Sequence, residues 1–214
     1  MVNEEKYKDI NTFCNANKAT LVAVSKLKPA SDIAKLYALG QRHFGENYVQ
    51  ELVDKQTQLP NDICWHFIGH LQSNKVKYIA SFVHIIQSVD SIKLLTEIDK
   101  QAKKNNRIIK VLLQIHIAEE ETKFGFDELE LSNVDFLNFK SIEIIGLMGM
   151  ATFTNDKEKV KNEFENLHKI YVNFCKQTNS KLTTLSMGMS DDYVLAITCG
   201  SNMVRIGSLL FGKR

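Results

Sequence analysis

The chain has 214 residues, 44% hydrophobic and 24% charged, with a formal net charge of +2 at pH 7. That composition supports a packed globular core, and so small a charge compels neither a nucleic-acid nor a membrane partner. The start, Met1-Val2-Asn3-Glu4-Glu5-Lys6, lacks the apolar core of a signal peptide, no apolar stretch is long enough to span a bilayer, and the four cysteines form no CxxC pair. Reduced thiols in a cytoplasmic protein, and no metal site, are the expectation.

Leu21–Ser25 is an apolar run that reads as a buried strand with Lys26 at its C-terminal tip. Pro29 and Ser31-Asp32 then start a helix carrying Ile33, Leu36 and Leu39 at helical spacing, stopped by Gly40. His43–Gly45 is a short strand, and Val49, Leu52 and Val53 open a helix that ends before Pro60. Trp65–Ile68 is strand-like, Val76–Ala80 a short helix, Val83–Ile86 a strand, and Ile92–Ile98 a helix behind Asp90-Ser91. Ile108–Ile117 is the longest apolar run, a buried parallel strand, and a looser helical region follows over Leu129–Leu137. Ile142–Met150 is a strand, Val160–Phe174 a long amphipathic helix, and Leu182–Met187 and Met203–Ile206 are the last strands. With only two prolines and no Pro/Gly/Ser-rich linker, residues 1–214 read as one domain.

Strands alternating with helices imply a parallel sheet covered by helices. Eight such repeats point to a closed α/β (β/α)8 barrel of the TIM type, although an open doubly wound sheet gives a similar pattern. No helix of useful length follows the last strand, so an extra N-terminal helix over Glu4–Cys14 is expected to cover that gap.

In such a barrel the chemistry sits at the C-terminal ends of the strands. A partly desolvated Lys26 amine there becomes nucleophilic near neutral pH and can form a Schiff base; a lysine snorkelling into water is the alternative. Met187-Gly188-Met189-Ser190-Asp191-Asp192 and Arg205-Ile206-Gly207-Ser208 fall in the loops after strands seven and eight. Hydroxyls and backbone amides there can cradle a phosphate dianion. Alternatively Ser190 is only the N-cap of a helix over Asp191–Thr198. Arg205 sits inside the last strand between apolar neighbours and needs a partner. That partner is either an acceptor on a ligand, such as a ring nitrogen it would keep unprotonated, or a barrel carboxylate such as Glu46.

His66 and His70 share a strand-face parity, but a metal needs three or four convergent ligands, and His43, His84, His116 and His168 assemble no recognisable motif. Asn47, Asn74 and Lys75 are polar groups at loop entries, and Glu119–Phe126 is an acidic loop suited to a lid or simply to solvent.

The stretches AVSK, FGENYVQE, WHFIGHLQSNK, GLMGMATF, MGMSDDY and MVRIGSLLFG, in this order, resemble the pyridoxal phosphate homeostasis proteins, barrels similar to the N-terminal domain of alanine racemases. The resemblance runs from about Leu21 to the end of the chain. It implies a fold-type III barrel binding pyridoxal 5′-phosphate as a Schiff base to Lys26. It also implies phosphate contacts from Ser190, Gly207 and Ser208, and Arg205 near the pyridine nitrogen. Asn47 and Ile68-Gly69-His70 would line the cofactor, and Met187 and Met189 would pack nearby. The implied role is holding and buffering the cofactor in vitamin B6 homeostasis without catalytic turnover, as a monomer, with apo forms of cofactor-dependent enzymes as partners. An amino-acid racemase of the same barrel type is the alternative. His116, Phe124 and Asn202 depart from the family pattern, none of them at the presumed lysine or phosphate positions.

Overall fold

The computed structural model describes the chain except residues 1, 119–123, 128–129, 132–133, 135, 179–181 and 213–214. Eight parallel strands close into a barrel in chain order: β1 Thr20–Val24, β2 His43–Glu46, β3 Cys64–Phe67, β4 Ile85–Val89, β5 Ile109–Gln114, β6 Ile142–Met148, β7 Thr184–Ser186 and β8 Met203–Ile206. The ring shuts where Thr20–Ala23 of β1 pair with Met203–Ile206 of β8. Closure removes the edges that an open sheet would expose, and it settles the choice that periodicity left open.

The helices are α1 Glu4–Ala16, α2 Ala30–Ala38, α3 Val49–Gln58, α4 Ile92–Lys104, α5 Lys157–Thr178, α6 Tyr193–Thr198 and α7 Ser208–Phe211, with a 3-10 turn at Ser73–Tyr78. Local chemistry explains several of their bounds. Ser91 accepts from the Leu94 amide and caps α4. Asn3 does the same for α1 through the Lys6 amide. The N-terminal helix expected to cover the barrel is α1, tied to the last helix by the Asn3 amide donating to the Leu210 carbonyl at 2.8 Å.

Alternation along the strands builds two cores. Leu21, Ala23, Trp65, Phe67, Val204 and Ile206 point outward into the layer beneath the helices. Val22, Ile85, Leu112, Met148 and Met203 point inward and fill the barrel. The inner core is not wholly apolar, because His66, Gln87, Ser186 and Arg205 are also buried.

Two boundaries differ from the sequence reading. β4 begins at Ile85, two residues beyond Val83: the Val83 amide still donates back to the Ile79 carbonyl at 2.9 Å, and His84 lies at a bend before the strand. α6 begins at Tyr193 with Asp192 at the cap position, so Ser190 is not its N-cap. The Asp192 carboxylate instead accepts from the Met189 amide. The acidic-loop reading lies mostly outside the described residues, and so does part of the Leu129–Leu137 helical region. Its described part shows a 3-10 turn at Phe136–Asn138.

Candidate functional site

The C-terminal mouth of the barrel collects most of the expected residues from the ends of five strands, β1, β2, β3, β7 and β8. Lys26 is half-buried in the turn directly after β1. Its successor Leu27 has φ +60, a conformation unfavourable for a residue with a Cβ. The turn is over-determined from outside the barrel. The Leu27 amide donates to Glu51 Oε1 at 2.6 Å, Lys55 Nζ donates to the Ser25 carbonyl at 2.8 Å, and the Ser25 hydroxyl donates to Glu46 Oε1 at 2.6 Å. Lys55 also pairs with Glu46 at 2.7 Å and Glu51 at 2.6 Å. Strained backbone held by its surroundings clusters at functional sites. Glu46 is 0% exposed. Burial pushes its carboxyl up to about 7, against the pull of Lys55 and Ser25.

Sequence reasoning missed this clamp. Glu51 and Lys55 are four apart on a helix, which reads as an ordinary surface pair, and residue type alone makes Glu46 a candidate partner of Arg205. The structure corrects that pairing: Glu46 faces α3, on the outside of the sheet, while Arg205 faces inward.

Arg205 is 4% exposed. Its NH1 donates to the Ser186 carbonyl at 2.9 Å and the Ser186 hydroxyl at 2.7 Å, and NH2 donates to the Gly149 carbonyl at 2.9 Å. Burial lowers its pKa to about 10, with Asp192 acting the other way. Since Arg205 only donates, the Ser186 hydroxyl must pass its own proton onward, to Gln87 Oε1 at 2.7 Å. The Gln87 amide nitrogen then faces His66 Nδ1 at 2.8 Å, and His66 Nε2 faces His43 Nδ1 at 2.9 Å. A buried chain of hydrogen bonds therefore runs from the mouth down through the barrel.

Asn47 and Gly69 meet where the loops after β2 and β3 cross. A Cβ on Gly69 would stand 2.3 Å from the Asn47 carbonyl oxygen, so only glycine allows the approach. Asn47 Oδ1 is buried without a hydrogen-bond partner, an acceptor that a ligand donor would satisfy. Ile68 packs its Cδ1 over Gly45. His70 Nδ1 lies 2.9 Å from Asp90 Oδ2, and the ring stacks on Phe124 with centroids 4.0 Å apart. His70 is exposed and His66 is fully buried, so the two form no joint ligand set. A cavity of about 440 Å³ opens beside these loops, lined by Asn47, Tyr48, Phe67, His70, Lys75 and Tyr78 among others.

On the opposite side, the Gly207 amide donates to Ser190 Oγ over a long 3.4 Å, which brings the β7 and β8 loops together. A Cβ on Gly207 would lie 3.2 Å from the Val24 carbonyl oxygen, so the backbone forms a shallow cradle against the end of β1. Ser208 is exposed beside it. Met189 is exposed at the rim, whereas the Met187 side chain is buried in the layer between sheet and helices and does not line the mouth.

The arrangement suits a planar, phosphorylated aldehyde. It offers an amine at one strand end, hydroxyls and a close-approach backbone for the phosphate, a fixed cation inside the barrel, and an unsatisfied amide oxygen. Among the described residues, no helix is long and apolar enough to cross a membrane.

Comparison with known proteins places the chain. The family described as alanine racemase, N-terminal domain, matches residues 4–214. The pyridoxal phosphate homeostasis protein of Aquifex aeolicus is 39% identical over 92% of this chain and 88% of its own length. The human protein of that name is 40% identical over 91% of this chain and 76% of its own. PipY of Synechococcus elongatus, whose structure was solved with PLP bound, superposes with a TM-score of 0.84 at 37% identity, covering 91% of this chain and 93% of that one. An alanine racemase of Clostridium difficile shares the fold with a TM-score of 0.72 at 17% identity, covering 95% of this chain and 56% of that one.

Proposed function

This chain belongs to the pyridoxal phosphate homeostasis proteins, a family built on the alanine racemase N-terminal domain, and we propose that its barrel mouth holds pyridoxal 5′-phosphate to buffer and hand on the cofactor rather than to turn over a substrate. The observation that carries the reading is Arg205. It stands inside the barrel at the ligand-binding end, touched by no carboxylate among the described residues, with its hydrogen bonds going to Ser186 and Gly149.

Pyridoxal phosphate, when bound, supplies a pyridine ring that stabilises a carbanion best when its nitrogen is protonated. With the ring nitrogen held near it, Arg205 would oppose that protonation, because a fixed positive charge disfavours a second one nearby. The Ser186 and Gly149 oxygens hold the guanidinium where it is. Lys26 would hold the cofactor through its amine as a Schiff base, on a turn that Glu51, Lys55 and Ser25 keep in place. Ser190, Gly207 and Ser208 would bind the phosphate, with the Gly207 backbone giving room. Asn47 would use its unsatisfied oxygen, and Gly69 lets Asn47 come close enough to do so. Ile68 and His70 would wall the β3 side. Apo forms of cofactor-dependent enzymes are the recipients this role requires, meeting the barrel as a monomer.

Borohydride reduction followed by intact-mass measurement and peptide mapping tests the reading. A pyridoxyl-phosphate adduct on Lys26, absent from Lys26→Ala, is expected. No adduct after incubation with excess cofactor overturns it. Enzyme-like exchange of the α-hydrogen of alanine in heavy water would overturn the non-catalytic half and favour a racemase.

A further inference from the structure

The opposite, N-terminal mouth of the barrel carries a second cluster that the cofactor site does not use. His43 opens β2, Cys64 opens β3 in register with it, and His84 directly precedes β4. One ligand atom from each of His43, Cys64 and His84 lies within 4.8 Å of the others, and all three residues are half-buried at the barrel's lower rim. The His43 and His84 rings are 6.0 Å apart at 67°.

We propose that His43, Cys64 and His84 form a zinc site that ties together the starts of three successive strands, with water completing the coordination.

The donor set argues for the metal. Two imidazoles and a thiol suit a borderline or soft cation and offer nothing to magnesium or calcium, which take oxygen ligands. Around zinc, with bonds of about 2.0–2.3 Å, tetrahedral donors stand roughly 3.3–3.6 Å apart. Ligand atoms already within 4.8 Å need only side-chain adjustments to reach that spacing. Burial acts most on both groups; Lys110 and Arg107 also act on His84, and Cys64 feels the Asp62 carboxylate ahead of Lys110 and Arg42. A cation in such mixed surroundings is held best by a ligand set that carries its own negative charge. Cys64 supplies it by losing its thiol proton to solvent as the metal–sulfur bond forms.

His66 provides the outer support that a metal-bound histidine requires. It engages Nδ1 of His43 at 2.9 Å, which leaves Nε2 of His43 for the metal. With zinc on Nε2, the His43 proton sits on Nδ1 and is donated to His66. Both neutral imidazoles then exchange tautomers with no net change in protons. The new His66 proton requires the Gln87 amide to turn its oxygen toward the ring and its nitrogen toward Ser186 Oγ, so Ser186 gives up Gln87 as its acceptor when the metal binds. The lower face of such a barrel is where residues serve stability, and a clamp across β2, β3 and β4 fits that place.

The test uses the full chain with excess Zn²⁺, reading bound metal by equilibrium dialysis and cysteine alkylation by peptide mapping. One equivalent is expected, reversed by chelator, with Cys64 alkylated at least tenfold more slowly when zinc is present. Cys64→Ser and His84→Gln should each weaken binding at least tenfold. Alkylation of the unaltered chain needs no variant, so a misfolded substitution cannot decide the outcome. Equal alkylation of Cys64 with and without zinc, or unchanged zinc affinity in both folded variants, overturns the site. These readouts do not involve the cofactor, so they stand or fall apart from the function proposed above.

Discussion

The guanidinium of Arg205 lies 2.7 Å from the hydroxyl of Ser186 and 2.9 Å from the carbonyl of the same residue, so one serine in β7 fixes a charged side chain of β8 inside the barrel. The charge stays buried because neutral oxygens, one of them on Gly149, take three of its donor contacts. Removing the guanidinium strands those acceptors away from water. Arg205→Met is expected to lose about 3 kcal/mol of stability. It should also raise the fraction of cofactor with a protonated ring nitrogen. Chemical denaturation and the pH dependence of the bound chromophore check the two effects.

The proposed phosphate cradle depends on Ser190 facing Gly207 rather than capping α6. Ser190→Ala should weaken pyridoxal phosphate binding roughly tenfold, the worth of about 1.4 kcal/mol from one lost hydrogen bond to a charged group. Fold stability should be unchanged, since no helix loses its cap. Fluorescence titration beside a thermal melt separates the two readouts.

Gly69→Ala places a methyl group where Asn47 O stands 2.3 Å away. Backbone cannot yield as a flexible side chain would, so the loops after β2 and β3 must part. A stability loss of about 1–3 kcal/mol is expected from the overpacking. Cofactor affinity should fall with it, because Asn47 is displaced. Affinity unchanged at full occupancy would remove Asn47 from the site.

The buried clamp under Lys26 makes stability depend on pH. The Glu46 carboxyl is raised from 4.5 to about 7 by burial. The folded state therefore binds its proton more tightly than the unfolded chain does. Glu46 contributes most below pH 4.5, and the contribution is lost as pH rises through about 7. Glu46→Gln should flatten the stability profile across that window while keeping an acceptor for Ser25. Denaturant melts at intervals between pH 4.5 and 8 read the slope.

Lys55 is the partner that makes the ionised clamp tolerable. Lys55→Ala leaves Glu46 without its cation in a site closed to water. Breaking a buried pair from one side costs about 3–5 kcal/mol. The loss should deepen above pH 7, where Glu46 would otherwise ionise. Lys26 should also become more mobile, seen as faster release of cofactor.

The alternation of strands and helices was legible in the sequence, and it pointed to a barrel while leaving an open doubly wound sheet as the alternative that ring closure removed. Each strand is a short apolar run whose inward and outward residues differ, and each helix carries its own spacing and cap. β8 has the bounds expected for it, with Arg205 inside it, and Lys26, Ser190 and Gly207 follow strand ends once eight repeats are counted. These are local signals, written in neighbouring residues. The tertiary structure alone decided which of several chemically sensible partners each polar group takes. Arg205 could have met Glu46 on residue type, yet strand parity sends one inward and the other outward. The clamp of Glu46, Glu51 and Lys55, the crossing of Asn47 and Gly69, and the meeting of His43, Cys64 and His84 join residues from different strands and loops. Closing the ring brings those strand ends to common radii, and no periodicity along the chain records that distance.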